Sequence, residues 1–148
     1  MENTYLFYDI ETTGLNPCFD QILQFAAIRT DLSLNEIDRY ECMIKLNPDV
    51  TPHPEAMKTH QLSMDDINRG KSEIVAVQEI HELMNMPGTI SIGYNTLGFD
   101  DEFLRFSFYR SLLPPYTHQY ANRCYRMDIY PMIVLYYLFN PDTIKWPK

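Results

Sequence analysis

Two carboxylates placed two residues apart are the first feature of this chain that could do chemistry. Asp9 and Glu11 follow the apolar run 5–8 and precede a predicted turn at Gly14. Side chains alternate along a strand, so both carboxylates would lie on one face with Cα atoms roughly 6–7 Å apart. Two like charges this close are unfavourable unless a cation lies between them. The spacing therefore predicts a site for hard divalent ions.

The surroundings of this pair favour a buried strand over a solvated strand end. Large apolar side chains occupy both alternating faces of 5–10, as expected of a central strand covered on two sides. Gly14 is predicted to supply a positive φ for a tight turn. A strand whose carboxylates have simply reached water stays the alternative interpretation.

A second acidic cluster, Asp100, Asp101 and Glu102, opens a predicted helix just after a glycine-containing loop. Acids in a first helical turn complement the helix dipole, and Asp is a good N-cap, so capping alone could explain the cluster. Together with the first pair, however, a third carboxylate at a strand end is what a two-ion site requires. Asp100 is therefore predicted to join that pair. Three roles stay open for Asp101, Glu102 and Asp128: support of the metal ligands, exposure to solvent, and capping of a helix.

The elements that would position these residues alternate in the α/β manner. Three early strands with short connections predict an antiparallel meander, and helices follow around a fourth strand. Ser63 is predicted to cap the second short helix, and Pro131 to kink or delay the last one. The predicted strands are 5–11, 22–29, 39–46 and 89–94, and the predicted helices are 54–59, 64–69, 72–86, 100–113 and 127–139.

Composition limits the class of protein. A chain of 148 residues with 45% hydrophobic content is expected to form one domain. No apolar run approaches the roughly 20 residues that span a bilayer, and the first four residues lack the basic region of a signal peptide. Cys18, Cys42 and Cys124 are scattered without metal or disulfide spacing, which predicts a reducing, cytoplasmic setting.

The formal net charge of −8 counts against general affinity for nucleic acid, which normally relies on Lys and Arg contacts to phosphate. It does not count against an enzyme that meets phosphate through bound cations, since the cations reverse the local field of a carboxylate cluster.

Both acidic segments resemble the motifs of the DEDD (DnaQ-like) 3′–5′ exonuclease superfamily. Asp9-Ile10-Glu11-Thr12-Thr13-Gly14 is similar to the first motif, and Asn95 with Phe99-Asp100 is similar to the second. Segments 24–31, 93–102 and 144–147 extend the similarity to the N-terminal nuclease domain of a bacterial single-strand DNA exonuclease. The resemblance implies an α/β, ribonuclease H-like fold: a mixed sheet with an antiparallel three-strand meander flanked by helices. It also implies a single exonuclease domain over 1–148 that is incomplete at its C-terminal side.

The resemblance further implies an activity and a set of site residues. The activity is 3′–5′ exodeoxyribonuclease action on single-stranded DNA, by two-metal-ion hydrolysis that releases 5′-mononucleotides. Asp9, Glu11 and Asp100 would be catalytic and would ligate two Mg²⁺ ions, with Mn²⁺ as a substitute. Glu11 and Thr12 would bind the terminal nucleotide at the 3′ end of the DNA. A single-strand DNA-binding protein would be a further partner, reached through domains outside this chain.

The chain departs from the family pattern near its end. The family has a general-base His five residues before a fourth carboxylate, late in the domain, but no His follows His118 here. The isolated chain is therefore expected to be weak or inactive. His60 and Asp65 have this spacing but lie between the first two motifs, so a local capping or packing role is expected for His60. His53, His81 and His118 are expected to be surface or loop residues.

Three alternatives stay open at this point. The chain could be a catalytically inert remnant that binds metal or nucleic acid, an interaction domain with incidental acidic clusters, or an exonuclease that acts on RNA.

Overall fold

The computed structural model describes residues 2–145; Trp146 and Pro147, which belong to the last segment of the resemblance, lie outside them. The strands and helices alternate along the chain as the sequence predicts. The strands are β1 (Thr4–Thr12), β2 (Ile22–Thr30), β3 (Glu36–Met43), β4 (Thr89–Gly93) and β5 (Tyr125–Asp128). The helices are α1 (Pro54–His60), α2 (Met64–Asn68), α3 (Glu73–Met84), α4 (Asp100–Arg110), α5 (Thr117–Tyr120) and α6 (Ile129–Phe139), with a 3₁₀ turn at Thr96–Gly98.

All five strands form one mixed sheet in the order β3-β2-β1-β4-β5. β2 pairs antiparallel with both β1 and β3, which confirms the three-strand meander. β4 pairs parallel with β1 and with β5, so the chain crosses over between β3 and β4. β1 is therefore the central strand, and it lies between an antiparallel and a parallel neighbour.

One face of β1 carries the core. Leu6, Tyr8 and Ile10 are buried there against α3 and α4. The opposite face is less covered, since Tyr5 and Phe7 are only half-buried. The expectation of a strand covered on two sides thus holds for one face only. Other members of the core are Phe25, Ala76, Val77, Ile80, Met84, Phe103, Leu104 and Phe108.

A buried arginine fastens the parallel junction between β1 and β4. The Arg29 guanidinium donates to Thr4 Oγ1 at 2.7 Å, to Thr89 Oγ1 at 2.8 Å and to the Leu83 carbonyl at 2.7 Å. Burial lowers the pKa of Arg29 against a weaker opposing effect of the Asp38 charge. These three bonds join the first residue of β1, the first residue of β4 and the end of α3.

Several element boundaries differ from the prediction. β5 and α5, each four residues long, are absent from it, and β3 begins at Glu36 rather than at position 39. α6 begins at Ile129, so Pro131 lies in its first turn. A proline is tolerated there because the N–H that it lacks would have no helical partner. α4 ends at Arg110 rather than at position 113.

Ser63 caps α2 as predicted, since its hydroxyl accepts a hydrogen bond from Asp66 N–H. Within residues 2–145, no helix has both the length and the apolar character needed to cross a membrane.

Candidate active site

The carboxyl end of β1 presents the predicted acidic pair. Asp9 is exposed and Glu11 is half-buried, whereas Tyr8 and Ile10, which alternate with them along the strand, point into the core. The alternation therefore places both carboxylates on the face of the sheet away from α3 and α4. A shift in the β1–β2 register between Glu11 and Thr12 ends the regular pairing just after the pair.

Asp100 reaches this strand end from α4. The parallel pairing of β1 with β4 runs only from Thr4 to Phe7, so the amides further along β1 have no partner in β4. The Ile10 N–H donates instead to Asp100 Oδ1 at 3.2 Å, a contact between residues 90 positions apart. The divergence of the two parallel strands thus opens a slot that the Asp100 carboxylate occupies. Asp100 is only 5% exposed there.

Asp9 is close enough to Glu11 and to Asp100 for its charge to act on both. Burial and the charge of Asp9 raise the pKa of Asp100 to about 7, against two backbone hydrogen bonds that lower it. Burial and the same Asp9 charge also raise the pKa of Glu11. Both groups would ionise more readily beside a cation, and this is the electrostatic condition of a metal site.

No group of three His, Cys, Asp or Glu side chains in the described residues converges tightly enough to hold a metal ion unaided. Magnesium does not require such a cage, because it keeps several waters and takes one or two carboxylates plus substrate phosphate oxygens. The donor set at the end of β1 fits a cation of that kind.

The loop after β1 is held by a buried carboxylate. Asp20 accepts from Thr13 Oγ1 at 2.8 Å and from Asn16 N–H at 2.9 Å. Gly14 lies inside this loop, but its φ is not positive, so the predicted reason for a glycine there is wrong. The actual reason is space: a Cβ at position 14 would lie 2.4 Å from Asp20 Oδ2 and from His53 Cδ2.

Gly14→Ala is therefore expected to destabilise the protein by roughly 1–3 kcal/mol, the usual range for overpacking. Urea unfolding followed by circular dichroism measures the loss. Gly98→Ala is the matched control, because its Cβ would meet only the Asn95 side chain, at 3.0 Å and beyond. Equal stability of the two variants would contradict the crowding argument.

A cavity of about 780 Å³ opens beside the acidic pair. Glu11, Thr12, Leu15, His60 and Phe99 are among the residues that line it. The Thr12 hydroxyl already donates to the Gly14 carbonyl at 2.6 Å, so toward a ligand it can only accept. Glu11 belongs to both the cavity and the acidic cluster, so a molecule in this cavity would lie directly beside the carboxylates.

His60 has the local role that the sequence predicts, and it also faces this cavity. Its Nδ1 accepts from Leu62 N–H at 3.1 Å, which orders the turn that follows α1. The proton of the neutral ring is therefore on Nε2, which is buried and has no hydrogen-bond partner in the part of the chain described. Burial lowers the pKa of His60, although the Thr12 backbone opposes this effect.

His118 is not the surface residue that was expected. It is 1% exposed, and its Nε2 lies 2.9 Å from Oδ1 of Asp101, which is itself 1% exposed. Gln119 Nε2 donates to Asp101 Oδ2 at 3.1 Å, and Arg126 forms an ion pair with the same oxygen. Burial opposes ionisation of Asp101, but His118 and Arg126 outweigh it and hold the pKa of Asp101 below its usual range.

This cluster is not evident from the sequence because its members are 17, 18 and 25 positions from Asp101. One signal was available: Arg126 and Asp128 alternate on a short segment that could have been identified as a strand.

Asp128 fixes the loop that leads to Asp100. Its Oδ1 accepts from Asn95 N–H at 2.8 Å and from Tyr130 N–H at 2.9 Å, and its Oδ2 accepts from Leu97 N–H at 3.1 Å. Asp128 therefore caps α6, which is one of the roles left open for it by the sequence. It also orders the turn in which Asn95 has a φ of 60°. Glu102, by contrast, forms a partly exposed ion pair with Arg105.

Comparison with known proteins places this arrangement in a family. The sequence profile of the RNase_T exonuclease family matches residues 6–141. Exodeoxyribonuclease I of Escherichia coli is 35% identical over 149 residues, which cover 99% of this chain and 31% of that protein. The chain thus spans about a third of the length of the curated relatives it matches.

Solved structures give the same result. The zinc-bound crystal structure of the E. coli ExoI–ssDNA complex matches with a TM-score of 0.94 at 34% identity, over 100% of this chain and 32% of that chain. An ExoI/SSB-Ct complex matches with the same TM-score and identity, over 100% of this chain and 33% of that chain. The expected fold is therefore confirmed. With its acidic strand end, its mixed sheet and a profile match over most of its length, this chain belongs to the RNase_T family of exonucleases and has the ribonuclease H-like fold of the N-terminal nuclease domain of exonuclease I.

Proposed function

We propose that this chain is the nuclease domain of a 3′–5′ exodeoxyribonuclease that hydrolyses single-stranded DNA and releases 5′-mononucleotides. The observation that carries the proposal is the contact of Asp100 with the Ile10 amide, because it joins the second acidic cluster to Asp9 and Glu11. A single acidic strand end has many explanations. Two acidic segments that meet at a parallel strand junction beside a nucleotide-sized cavity have few.

Asp9, Glu11 and Asp100 are the residues that would hold divalent ions, and we assign them to two Mg²⁺ ions, with Mn²⁺ as a substitute. The raised pKa values of Glu11 and Asp100 support this assignment, since a bound cation would offset both the burial and the Asp9 charge that raise them. When bound, such ions supply activation of a water molecule and stabilisation of charge on the phosphate oxygens.

The cavity beside Glu11 would receive the 3′-terminal nucleotide. Glu11 and the Thr12 hydroxyl oxygen would accept hydrogen bonds from its sugar. Apolar side chains of Leu15 and Phe99 would contact the base. These cavity residues would thus position the terminal phosphodiester over the carboxylates.

The partners follow from the relatives. E. coli ExoI has been crystallised with single-stranded DNA and exonuclease I with SSB-Ct. We therefore propose the 3′ end of single-stranded DNA as the substrate, and a single-strand DNA-binding protein as a partner of a longer protein that contains this domain. The three cysteines are free thiols, two of them buried, in accord with a reducing cytoplasm.

A nuclease assay tests the proposal. The 148-residue chain is incubated with Mg²⁺ and a 3′-labelled single-stranded DNA, duplex DNA or RNA of the same sequence. We expect slow release of 5′-mononucleotides from single-stranded DNA only, and none with Asp9→Ala. The rate is expected to be roughly 10²–10⁴-fold below that of a longer protein with a general base, because no His follows His118.

Each alternative has its own outcome in this assay. Preferential cleavage of RNA would favour a ribonuclease. Binding of Mn²⁺ without turnover, even in a longer protein, would favour an inert remnant. Absence of metal binding would favour an interaction domain, and robust cleavage by the 148-residue chain would overturn the expected weak activity.

A further inference from the structure

The buried carboxylate next to Asp100 is more tightly held than any catalytic candidate. Asp101 is 1% exposed and interacts with His118, Gln119 and Arg126, which come from α5, α5 and β5. A buried carboxylate is very unfavourable unless its charge and its lone pairs are satisfied. Three partners satisfy Asp101, so its place in the fold is fixed to within the geometry of those contacts.

β5 holds the segment around Asp100 at two points. Arg126 and Asp128 are two residues apart on this strand, so their side chains lie on the same face. Arg126 binds Asp101 in the first turn of α4, and Asp128 binds the amides of Asn95 and Leu97 in the preceding loop. The loop and the helix start are therefore both positioned by one short strand, which itself pairs with β4.

The N-cap residue does not hold the start of α4. Phe99 occupies its N-cap position with φ −141° and ψ −74° and makes no side-chain cap. The Asp100 carboxylate accepts from Ile10 N–H at 3.2 Å. Its backbone is adjacent to Asp101, whose carboxylate has three side-chain partners.

We propose that Asp101 is a positioning residue: held by Arg126, His118 and Gln119, it sets the first turn of α4 so that the Asp100 carboxylate points at the metal site. The inference rests on the proposed metal-dependent function. It assigns no contact between Asp101 and metal or substrate. Asp101 acts only through the backbone that it shares with Asp100.

Mn²⁺ affinity is the direct readout, measured by the electron paramagnetic resonance signal of free Mn²⁺ in a titration of the 148-residue chain. Asp101→Asn is expected to weaken binding about tenfold, the lower end of what loss of an outer partner costs a metal site. Glu102→Gln is the charge-matched control: it removes one negative charge from the next residue, and it is expected to leave the affinity within twofold of wild type.

Arg126→Gln separates positioning from simple electrostatics. Removal of a positive charge near a cation site would by Coulomb's law strengthen Mn²⁺ binding. The positioning role predicts the opposite, a weakening of about tenfold. Arg126→Lys retains the charge and one donor, and it is expected to restore most of the affinity.

Stability is controlled separately. Val77→Ala removes buried volume in α3, away from the site, and is expected to lower Tm without a change in Mn²⁺ affinity. Should Asp101→Asn fail to fold, the Arg126→Gln and Arg126→Lys pair decides the matter.

Equal affinity of wild type and Arg126→Gln, or tighter binding by Arg126→Gln, would overturn the positioning role. So would a loss of affinity in Val77→Ala as large as that in Asp101→Asn. A wild-type chain that binds no Mn²⁺ would instead refute the proposed function, and this inference with it.

Discussion

Asp9→Asn is expected to abolish divalent-ion binding while it leaves the fold intact. Asp9 is exposed and adds its charge to the environments of both Glu11 and Asp100, so it is the shared centre of the acidic cluster. We expect Mn²⁺ affinity to fall by at least roughly 100-fold, the upper end of the loss seen when only an outer partner is removed. Cleavage of single-stranded DNA by an active, longer protein is expected to fall about 10³-fold, since metal ions supply several kcal/mol of charge stabilisation.

The same substitution has a second, independent signature. The charge of Asp9 raises the pKa of Glu11 and of Asp100, so both values are expected to fall when that charge is removed. Carboxylate ¹³C NMR titration of the metal-free protein measures this shift. Asp38→Asn, at an exposed position of β3, serves as the control and is expected to change neither pKa value nor Mn²⁺ affinity. Unchanged Mn²⁺ binding by Asp9→Asn would exclude Asp9 as a ligand.

Asp100→Asn is expected to stabilise the metal-free protein at neutral and higher pH. The pKa of Asp100 rises from 3.8 to about 7 on folding, so between these values the folded state keeps a proton that the unfolded state releases. The contribution of Asp100 to stability therefore falls as pH rises from about 4 to 7, and the full penalty is present above 7. With 1.36 kcal/mol per pKa unit, we expect the variant to be more stable than wild type by roughly 2–4 kcal/mol at pH 8.

Asparagine keeps an oxygen that can accept from Ile10 N–H, so the local hydrogen bond is retained. Urea unfolding in the presence of a chelator, at pH 4.5, 6 and 8, measures the difference. The gain is expected to shrink toward zero at pH 4.5. With saturating Mn²⁺ the order is expected to reverse, because only wild type gains stability from the bound ion. A pH-independent difference between the two proteins would contradict the assigned pKa.

Local sequence patterns were enough to predict most of the sheet and the meeting of its acidic segments. The apolar alternation of β1, the short connections of the meander and the acidic helix start are encoded within a few residues of one another. Asp100 could be expected near Asp9 because Asp9 lies at the end of a predicted strand, and Asp100 opens the predicted helix that follows another strand. Their contact through the Ile10 amide depends on where β1 and β4 diverge, and no pattern in either strand predicts that point.

The parts that escaped prediction depend on distant contacts. β5 has only four residues, so its alternation of apolar and polar side chains is too short to distinguish a strand from a loop. Nothing in the sequence around His118 distinguishes it from a loop histidine, and its contact with Asp101 arises only in the folded chain. Gly14 was predicted for its backbone freedom, but the crowding by Asp20 and His53 that requires it arises from the folded loop.

The register of the sheet also sets the order in which the site can form. The pairs β1–β2 and β2–β3 close short loops, whereas the β1–β4 pair, fastened by Arg29, must close a loop that contains about half of the chain. The entropy of loop closure grows with loop length, and pairing between distant segments is slow. Asp9 and Asp100 lie on opposite sides of this last junction. We therefore expect the protein to acquire its meander before its carboxylate cluster during refolding, so that a gain of Mn²⁺ affinity would mark completion of the sheet rather than its beginning.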